Sequence, residues 1–463
     1  MKKSFIVYSL LSISLLSLSA TTKIVSTNTS GSSSIAPSTG SIRLTLQSII
    51  NYAQTGSNTA ILNQMDLQEY EQSTVQFKYP YTLNNNFTYT PAFKGTDNTQ
   101  YNETLNFGYK DYQGSFNYIY SINNLNSQNI TDISFGKSIQ DFIFGPYQLG
   151  VSQEPYKSQI AQINTTIKTN KAIINAVTYY FKVLEQQQKI DLDQMAIQVQ
   201  QKDLASVKAK QAGGFSSTQD IQLSQVSLQE LNSTLAQDTA AYNINMSNLK
   251  FTLKLPSSAV ISLTSDSPYP NINSDKIQSL LKSYNALALQ KLYAQNQVDT
   301  LQNRYDSVHN NDLPNLIFGL GYNWSFGWDA FATVSYNILP WTYNGSKIND
   351  NSKRNKITLA ESQQNISTSV AQFTADFQDA TANLAITNAK LSINQTNFNA
   401  AKIKFQNNVI SYAEYLTSEQ NYFESQRDYY SAVYSYNILV YTLLYPTLDT
   451  PDNAAGTNNK EIF

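Results

Sequence analysis

The chain has no cysteine. That removes disulfides, thiol chemistry and a lipidated cysteine behind an export signal. A single histidine, His309, argues against a multi-histidine metal site and against histidine-based catalysis. Basic and acidic residues number 31 and 33, for a net charge of −2, without the basic excess of a nucleic-acid binder. No nucleophile–base pair, metal-ligand cluster or glycine-rich phosphate loop stands out, so no enzymatic activity, cofactor or metal is expected. Beyond the first twenty residues, no run is apolar enough for a transmembrane helix. Entry into a membrane is therefore left to a β-barrel, in which strands pair every backbone group. The 463 residues suit two or three ordinary domains or one large elongated one.

What the chain does have is tyrosine. Aromatics make up 12%, with 32 Tyr against 3 Trp. A ring with a polar tip suits boundaries between apolar and wet regions. Residues 1–20 read as a signal peptide. Lys2 and Lys3 form the charged start, Phe5 to Leu18 the apolar run, and Ser17, Ser19 and Ala20 the small residues near a cleavage point. The alternative, an amino-terminal anchor, is disfavoured because the run falls short of about 20 residues. Residues 21–40, rich in Ser, Thr, Gly and Asn, are expected to be disordered.

Ser41 to Gln76 reads as a helix broken at Thr55-Gly-Ser-Asn58. From Pro80 to Phe144 the period becomes two. Tyr101, Leu105, Phe107 and Tyr109 alternate with Asn102, Thr104, Asn106 and Gly108, and Tyr112, Phe116, Tyr118, Tyr120 and Ile122 with Gln113, Ser115, Asn117, Ile119 and Ser121. Further strand-like runs lie at Leu83 to Phe93 and Ile130 to Ile143. Such alternation fits a barrel wall or a soluble sandwich and does not choose between them. Gln153 to Ala212 reads as one polar helix with Pro155 in its first turn, carrying Ile160, Ile163, Ile167, Ile174, Val177, Phe181 and Leu184 on one seam. Sixty residues extend about 90 Å, the scale of a coiled coil.

That helix meets a second at Gly213-Gly214. Glycines suit a helix end that needs φ > 0, and Ser216, Ser217 and Thr218 can cap the next helix. The second helix carries Ile221, Leu228, Leu231, Leu235, Tyr242 and Leu249 at three- and four-residue steps. Residues 256–274, with Pro256, Pro268 and Pro270, form a linker. The order then repeats. Ile277-Gln-Ser-Leu-Leu281 echoes Leu46-Gln-Ser-Ile-Ile50, and a helix runs to about Val308. Two period-two runs follow, from Leu316 to Phe326 and from Ala330 to Ile338, with Gly327-Trp-Asp329 as the turn. Next comes a long helix with a seam through Val370, Phe373, Phe377, Leu384, Leu391, Phe398 and Phe405. It breaks at Asn407-Asn408, and a last helix starts near Glu414-Tyr415-Leu416. The domains expected are repeat 1 over 41–255 (strands about 80–144, hairpin about 153–255) and repeat 2 over 275–446 (strands about 315–339, hairpin about 346–445). A tail follows over 447–463.

This order, with the signal peptide and the hairpin ends, resembles the TolC-type outer-membrane efflux proteins over roughly Ser41 to Pro446. The family's tip signature is a glycine, then six residues later an acid and an aliphatic. Here it reads Gly214 to Asp220-Ile221, and in the second repeat Asn408 to Glu414. Leu339-Pro-Trp-Thr-Tyr-Asn-Gly345 is similar to the family's junction between last strand and following helix. The resemblance implies an α+β membrane protein. It would be a homotrimer with a transmembrane β-barrel of twelve strands, four per protomer, continued by a long periplasmic α-helical coiled-coil barrel built from two tandem repeats. It implies an exit duct in the outer membrane, extending into the periplasm, for tripartite efflux or type I secretion. The partners implied are a periplasmic adaptor, an inner-membrane pump of RND, ABC or MFS type, and outer-membrane lipid, with no nucleic acid.

The resemblance also implies an acidic gate at the helix ends, with Asp220 and Glu414 as its acids and Gln219 and Thr417 beside them. Gly213, Gly214, Asn407 and Asn408 would form the turns that meet the adaptor. The plain physical reading of both acids is a first-turn residue stabilised by the helix dipole. Two departures stand out. Thr417 occupies a position that carries a second acid in some members, with Glu419 nearby. Residues 101–122 supply an extra hairpin, expected to project beyond the barrel rather than enlarge it. The competing function is an exported coiled-coil surface or adhesion protein without channel activity.

Overall fold

The computed structural model describes residues 42–74, 81–90, 99–122, 127–264, 274–309, 315–324, 327–335 and 344–449. The expected signal peptide, the segment 21–40, most of the junction at 339–345 and the tail beyond 449 lie outside the described residues. The first half runs β1 (Ile42–Leu44), α1 (Leu46–Thr55), α2 (Asn58–Ser73), β2 (Tyr81–Thr90), β3 (Thr99–Tyr109), β4 (Tyr112–Ile122), β5 (Ser127–Ser138), α3 (Ile139–Phe144), α4 (Pro146–Ala212) and α5 (Thr218–Thr252). The second runs β6 (Ile261–Leu263), α6 (Ser274–Ser283), α7 (Ala286–Val308), β7 (Asn315–Asn323), β8 (Gly327–Ser335), α8 (Asn344–Gln406) and α9 (Tyr412–Leu444). β1 and β6, which open the two halves, pair in parallel. Among the described residues no helix is long and apolar enough to cross a membrane.

The other six strands form one antiparallel sheet in the order β2–β3–β4–β5–β7–β8. Alternating side chains point to opposite faces, and the register turns that alternation into continuous rows. One row crosses all six strands as Asn84, Asn106, Ser115, Ser134, Gly321 and Asp329. The hydroxyls of Ser115 and Ser134 lie 2.8 Å apart in it. The adjacent row, on the opposite face, reads Leu105, Phe116, Ile133, Tyr322 and Trp328 over five strands. Trp328, Leu320 and Phe318 on that apolar face are 78%, 60% and 50% exposed. On the polar face Gly319 makes room for its cross-strand neighbour: a Cβ there would meet the Phe331 ring at 2.1 Å.

Residues 101–122, expected to project beyond the barrel, lie within this sheet as most of β3 and β4. β3 and β4 pair along their whole length with β2 and β5 and carry both rows without a break. Their two-residue turn lies at the helical end of the sheet. There the Asp111 carboxylate accepts the Tyr147 backbone N–H at 2.7 Å and sits 3.7 Å from Lys137 Nζ. A hairpin tied to the first turn of α4 is part of the sheet's full height.

Three boundaries also differ from the sequence expectation. Ile139–Phe144 is helical rather than strand, because the Ser138 side chain caps it by accepting the Asp141 N–H. Pro146, not Pro155, stands at the start of α4, and Pro155 lies inside the helix. Gly327 (φ 91°) opens β8, and Trp328 and Asp329, expected in a turn, already pair with β7.

The helices pack on the seams read from the sequence. Val177, Phe181 and Leu184 of α4 meet Ile49 and Ile50 of α1, Leu249 of α5 and Tyr434 of α9 in one core, joined by Ile173 rather than the expected Ile174, which is half-buried. A second core joins Leu281 and Tyr284 to Phe377, Val440 and Leu443. On α5 the expected seam is only part of the answer. Ser224 and Ser227 are the buried residues of its first turns, small enough to let the helix approach α4 closely. The first residues of the expected tail are packed as well: Asp449 pairs with the buried Lys291 at 2.7 Å.

Candidate functional site

The two long hairpins, α4–α5 and α8–α9, end in turns of one design. α4 closes with Gly214 in the left-handed region (φ 79°). The Phe215 N–H donates to the Lys210 carbonyl at 2.8 Å and the Gly214 N–H to that of Gln211 at 2.9 Å. At the end of α8, Asn408 takes the same conformation (φ 56°). Val409 N–H donates to Lys404 at 2.8 Å and Asn408 N–H to Phe405 at 3.1 Å. This double bond pattern satisfies the last carbonyls of a helix and needs φ > 0, which glycine and asparagine tolerate best. Gly213 (φ −86°) precedes the left-handed residue and does not share its conformation.

Three residues after each left-handed position stands a serine, and six after it the acid. Ser217 Oγ accepts the Asp220 N–H at 3.1 Å, and Asp220 Oδ2 accepts the Ser217 N–H at 2.8 Å. Ser411 Oγ accepts the Glu414 N–H at 3.3 Å, and Glu414 Oε2 accepts the Ser411 N–H at 3.4 Å. Both are capping boxes. Asp220 also accepts the Ser216 hydroxyl at 2.9 Å. Partial burial raises its pKa, but the bonds from Ser217 and Ser216 outweigh that and hold the carboxyl below its usual range.

The two turns meet. Lys210, at the end of α4, donates to the Phe405 carbonyl at 2.7 Å and to Asn408 Oδ1 at 2.9 Å, with its ammonium 3.8 Å from the centre of the Phe405 ring. Burial lowers its pKa. Gly214, Asp220, Asn408 and Tyr412 line one open recess of about 470 Å³ between the hairpins, and Glu414 is not among its lining residues. Gln219 and Thr417 are exposed, and Thr417 donates to the Ala413 carbonyl of its own helix. Asn407 is exposed beside Asn408.

Behind the turns lies a polar layer that the sequence reading missed. Gln200, fully buried on α4, donates to the carbonyl and hydroxyl of Ser224 on α5 and to the Tyr412 hydroxyl on α9. The Tyr415 hydroxyl donates to Asp203 at 2.9 Å. Glu419, 2% exposed, sits against the same pair, and among the described residues its Oε2 has no hydrogen-bond partner. Burial, then the charge of Asp203, pushes the Glu419 carboxyl up to about 8. Further along, Arg427 of α9 bridges Asp193 of α4 at 2.5 Å and Asp238 of α5 at 2.6 Å. Burial and the nearby Asp238 outweigh the attraction of Arg427, so Asp193 rises to about 6. These partners stand 189 and 234 positions from Arg427, beyond the reach of any local spacing rule.

No family model and no curated protein sequence matches this chain. Among solved structures, CusC, studied for folding and transmembrane channel formation, aligns at a TM-score of 0.64 and 14% identity, over 88% of this chain and 92% of its own. The outer-membrane channel OprN aligns at 0.65 and 10% identity, over 87% and 89%. The outer-membrane protein VceC of Vibrio cholerae aligns at 0.61 and 12%, over 87% and 96%. At such identities the likeness is one of fold. Six antiparallel strands standing on two long helical hairpins with matched ends give this chain the fold of the TolC-type outer-membrane channels.

Proposed function

We propose that this chain is the outer-membrane exit duct of a tripartite efflux or type I secretion system. Three copies of a duplicated unit form a barrel in the outer membrane and a helical tunnel in the periplasm. The duct is passive and takes its cargo from an inner-membrane pump through a periplasmic adaptor that meets the hairpin ends. The observation that carries this reading is the two-faced sheet. A wall with an apolar, aromatic face and an opposite face of Asn, Ser, Gly and Asp is suited to lipid on one side and water on the other.

Asp220 and Glu414 are proposed as the acids of a gate at the periplasmic mouth, with Gln219 and Thr417 beside them. Threefold repetition would place up to six carboxylates there, favouring cations and resisting anions. Capping and gating are compatible, since a capping carboxylate keeps its charge.

Single-channel conductance in planar bilayers tests both proposals. The expected result is a small, cation-selective conductance in the wild type that rises, with weaker selectivity, in Asp220→Ala/Glu414→Ala. The variant Asp220→Asn/Glu414→Gln keeps an acceptor for each cap and is expected to lose selectivity without loss of fold. Conductance and selectivity unchanged in both variants would remove these residues as the gate. A chain that stays soluble without detergent and never inserts would overturn the duct in favour of an exported surface protein.

A further inference from the structure

We infer that the β3–β4 hairpin belongs to the membrane wall and that three copies close a barrel of 18 strands, β2 of one copy pairing with β8 of the next. The inference rests on the trimeric duct proposed above. It departs from the twelve-stranded wall that the resemblance implies.

Three observations point the same way. The first is the sheet's internal order. Strands of nine to twelve residues, close to the roughly 9–11 needed to span a bilayer, alternate in direction without exception across six positions. The polar row passes through Asn106 and Ser115 of the extra hairpin as it does through its neighbours. A hairpin outside the bilayer has no need to share one lipid face and one water face with the strands on either side.

The second is the pair of edges. Among the described residues β2 and β8 each have one strand neighbour, so each leaves a row of backbone donors and acceptors unpaired. A bilayer does not tolerate such an edge. β2 follows α2 and runs away from the helices, whereas β8 runs back towards α8. Side by side they are antiparallel, and ten residues face nine. Because each copy contributes an even number of strands, this head-to-tail contact repeats around a ring with no parallel joint.

The third is the fit between the two barrels. Each copy supplies four helical passes next to the sheet, α2, α4, α7 and α8. About twelve helices spaced 8–10 Å apart give a circumference of about 110 Å. About eighteen strands, 4.8 Å apart and tilted by about 40°, also give about 110 Å, whereas about twelve at that tilt give about 75 Å. The wider wall continues the tunnel without a step. Size selection then falls to the helix ends, and the outer mouth admits whatever the tunnel has passed.

The test is to count strands in the full chain, purified in detergent, by electron cryomicroscopy. A threefold ring of 18 strands is the expected result. A ring of twelve, with residues 99–122 outside the wall, would overturn this inference and leave the duct intact. A monomer that needs no detergent would overturn the duct itself. Deleting residues 99–122 joins β2 to β5 with the up–down alternation preserved. If the variant folds, the polymer size cut-off measured from the barrel side should fall by about 1.5-fold in diameter, since barrel width grows roughly linearly with strand number. An unchanged cut-off in a folded trimer would count against the wall assignment.

Discussion

Among the described residues no donor reaches one buried carboxyl oxygen of Glu419. An ionised oxygen in that position is costly, so the packed state favours the proton. The groups facing it are Asp203 from α4, Tyr415 on its own helix and, more distantly, Lys402 from α8. With the pKa raised from 4.5 to about 8, the site's contribution to packing is full below the ordinary carboxyl range. It declines as pH rises through that range towards 8. The melting temperature of the purified protein should therefore fall between pH 5 and 8.5. Glu419→Gln should remove most of that fall and stabilise the protein at pH 8.5 by a few kcal/mol. A wild-type pH profile that the substitution leaves in place would show that another group titrates.

Arg427 works at the scale of elements, since one guanidinium ties α9 to both helices of the first hairpin. Removing it as Arg427→Met leaves two carboxylates facing each other in a buried setting, a loss of about 3 kcal/mol. Asp238→Asn in the same background should recover part of it. The deficit should also shrink as pH falls towards 6, because without Arg427 the Asp193 carboxyl takes up its proton above that value. Thermal melts of the wild type and the two variants at pH 5 and pH 7.5 check the order. A deficit independent of pH would mean that lost packing of the Arg427 stem, rather than the paired acids, sets the cost.

The contrast between this tie and the helices it joins shows what the sequence carries. The seams of α4 and α8 and the alternation of β3 and β4 are local periodicities, and the fold honours them. So does the matched spacing from Gly214 to Asp220 and from Asn408 to Glu414, which emerges as two identical turn-and-cap motifs. Arg427, Asp193 and Asp238 have no periodic signature, because their meeting depends on how separate helices are brought together. Ser224 and Ser227 were hidden for a related reason: a polar residue is buried when smallness matters more than apolarity. Ile139–Phe144 misled because its Ile and Phe residues continue the preceding strand-like pattern, and only the Ser138 cap decides against it.

For the whole molecule, the sharpest consequence of the sheet is that neighbouring residues on the extra hairpin lie on opposite faces. Leu105 lies in the apolar row and Asn106 in the polar row, near the middle of the wall. In a bilayer, Leu105→Arg places a charge against lipid and should cost about 2–4 kcal/mol near the midplane. Heat-stable oligomer in the membrane fraction should fall sharply. Asn106→Arg points the same charge into water and should assemble normally, shifting channel selectivity towards anions. If the hairpin stood outside the membrane, both residues would sit in water and neither substitution would reduce assembly. A large loss for position 105 alone is therefore the pattern that a lipid-facing wall demands.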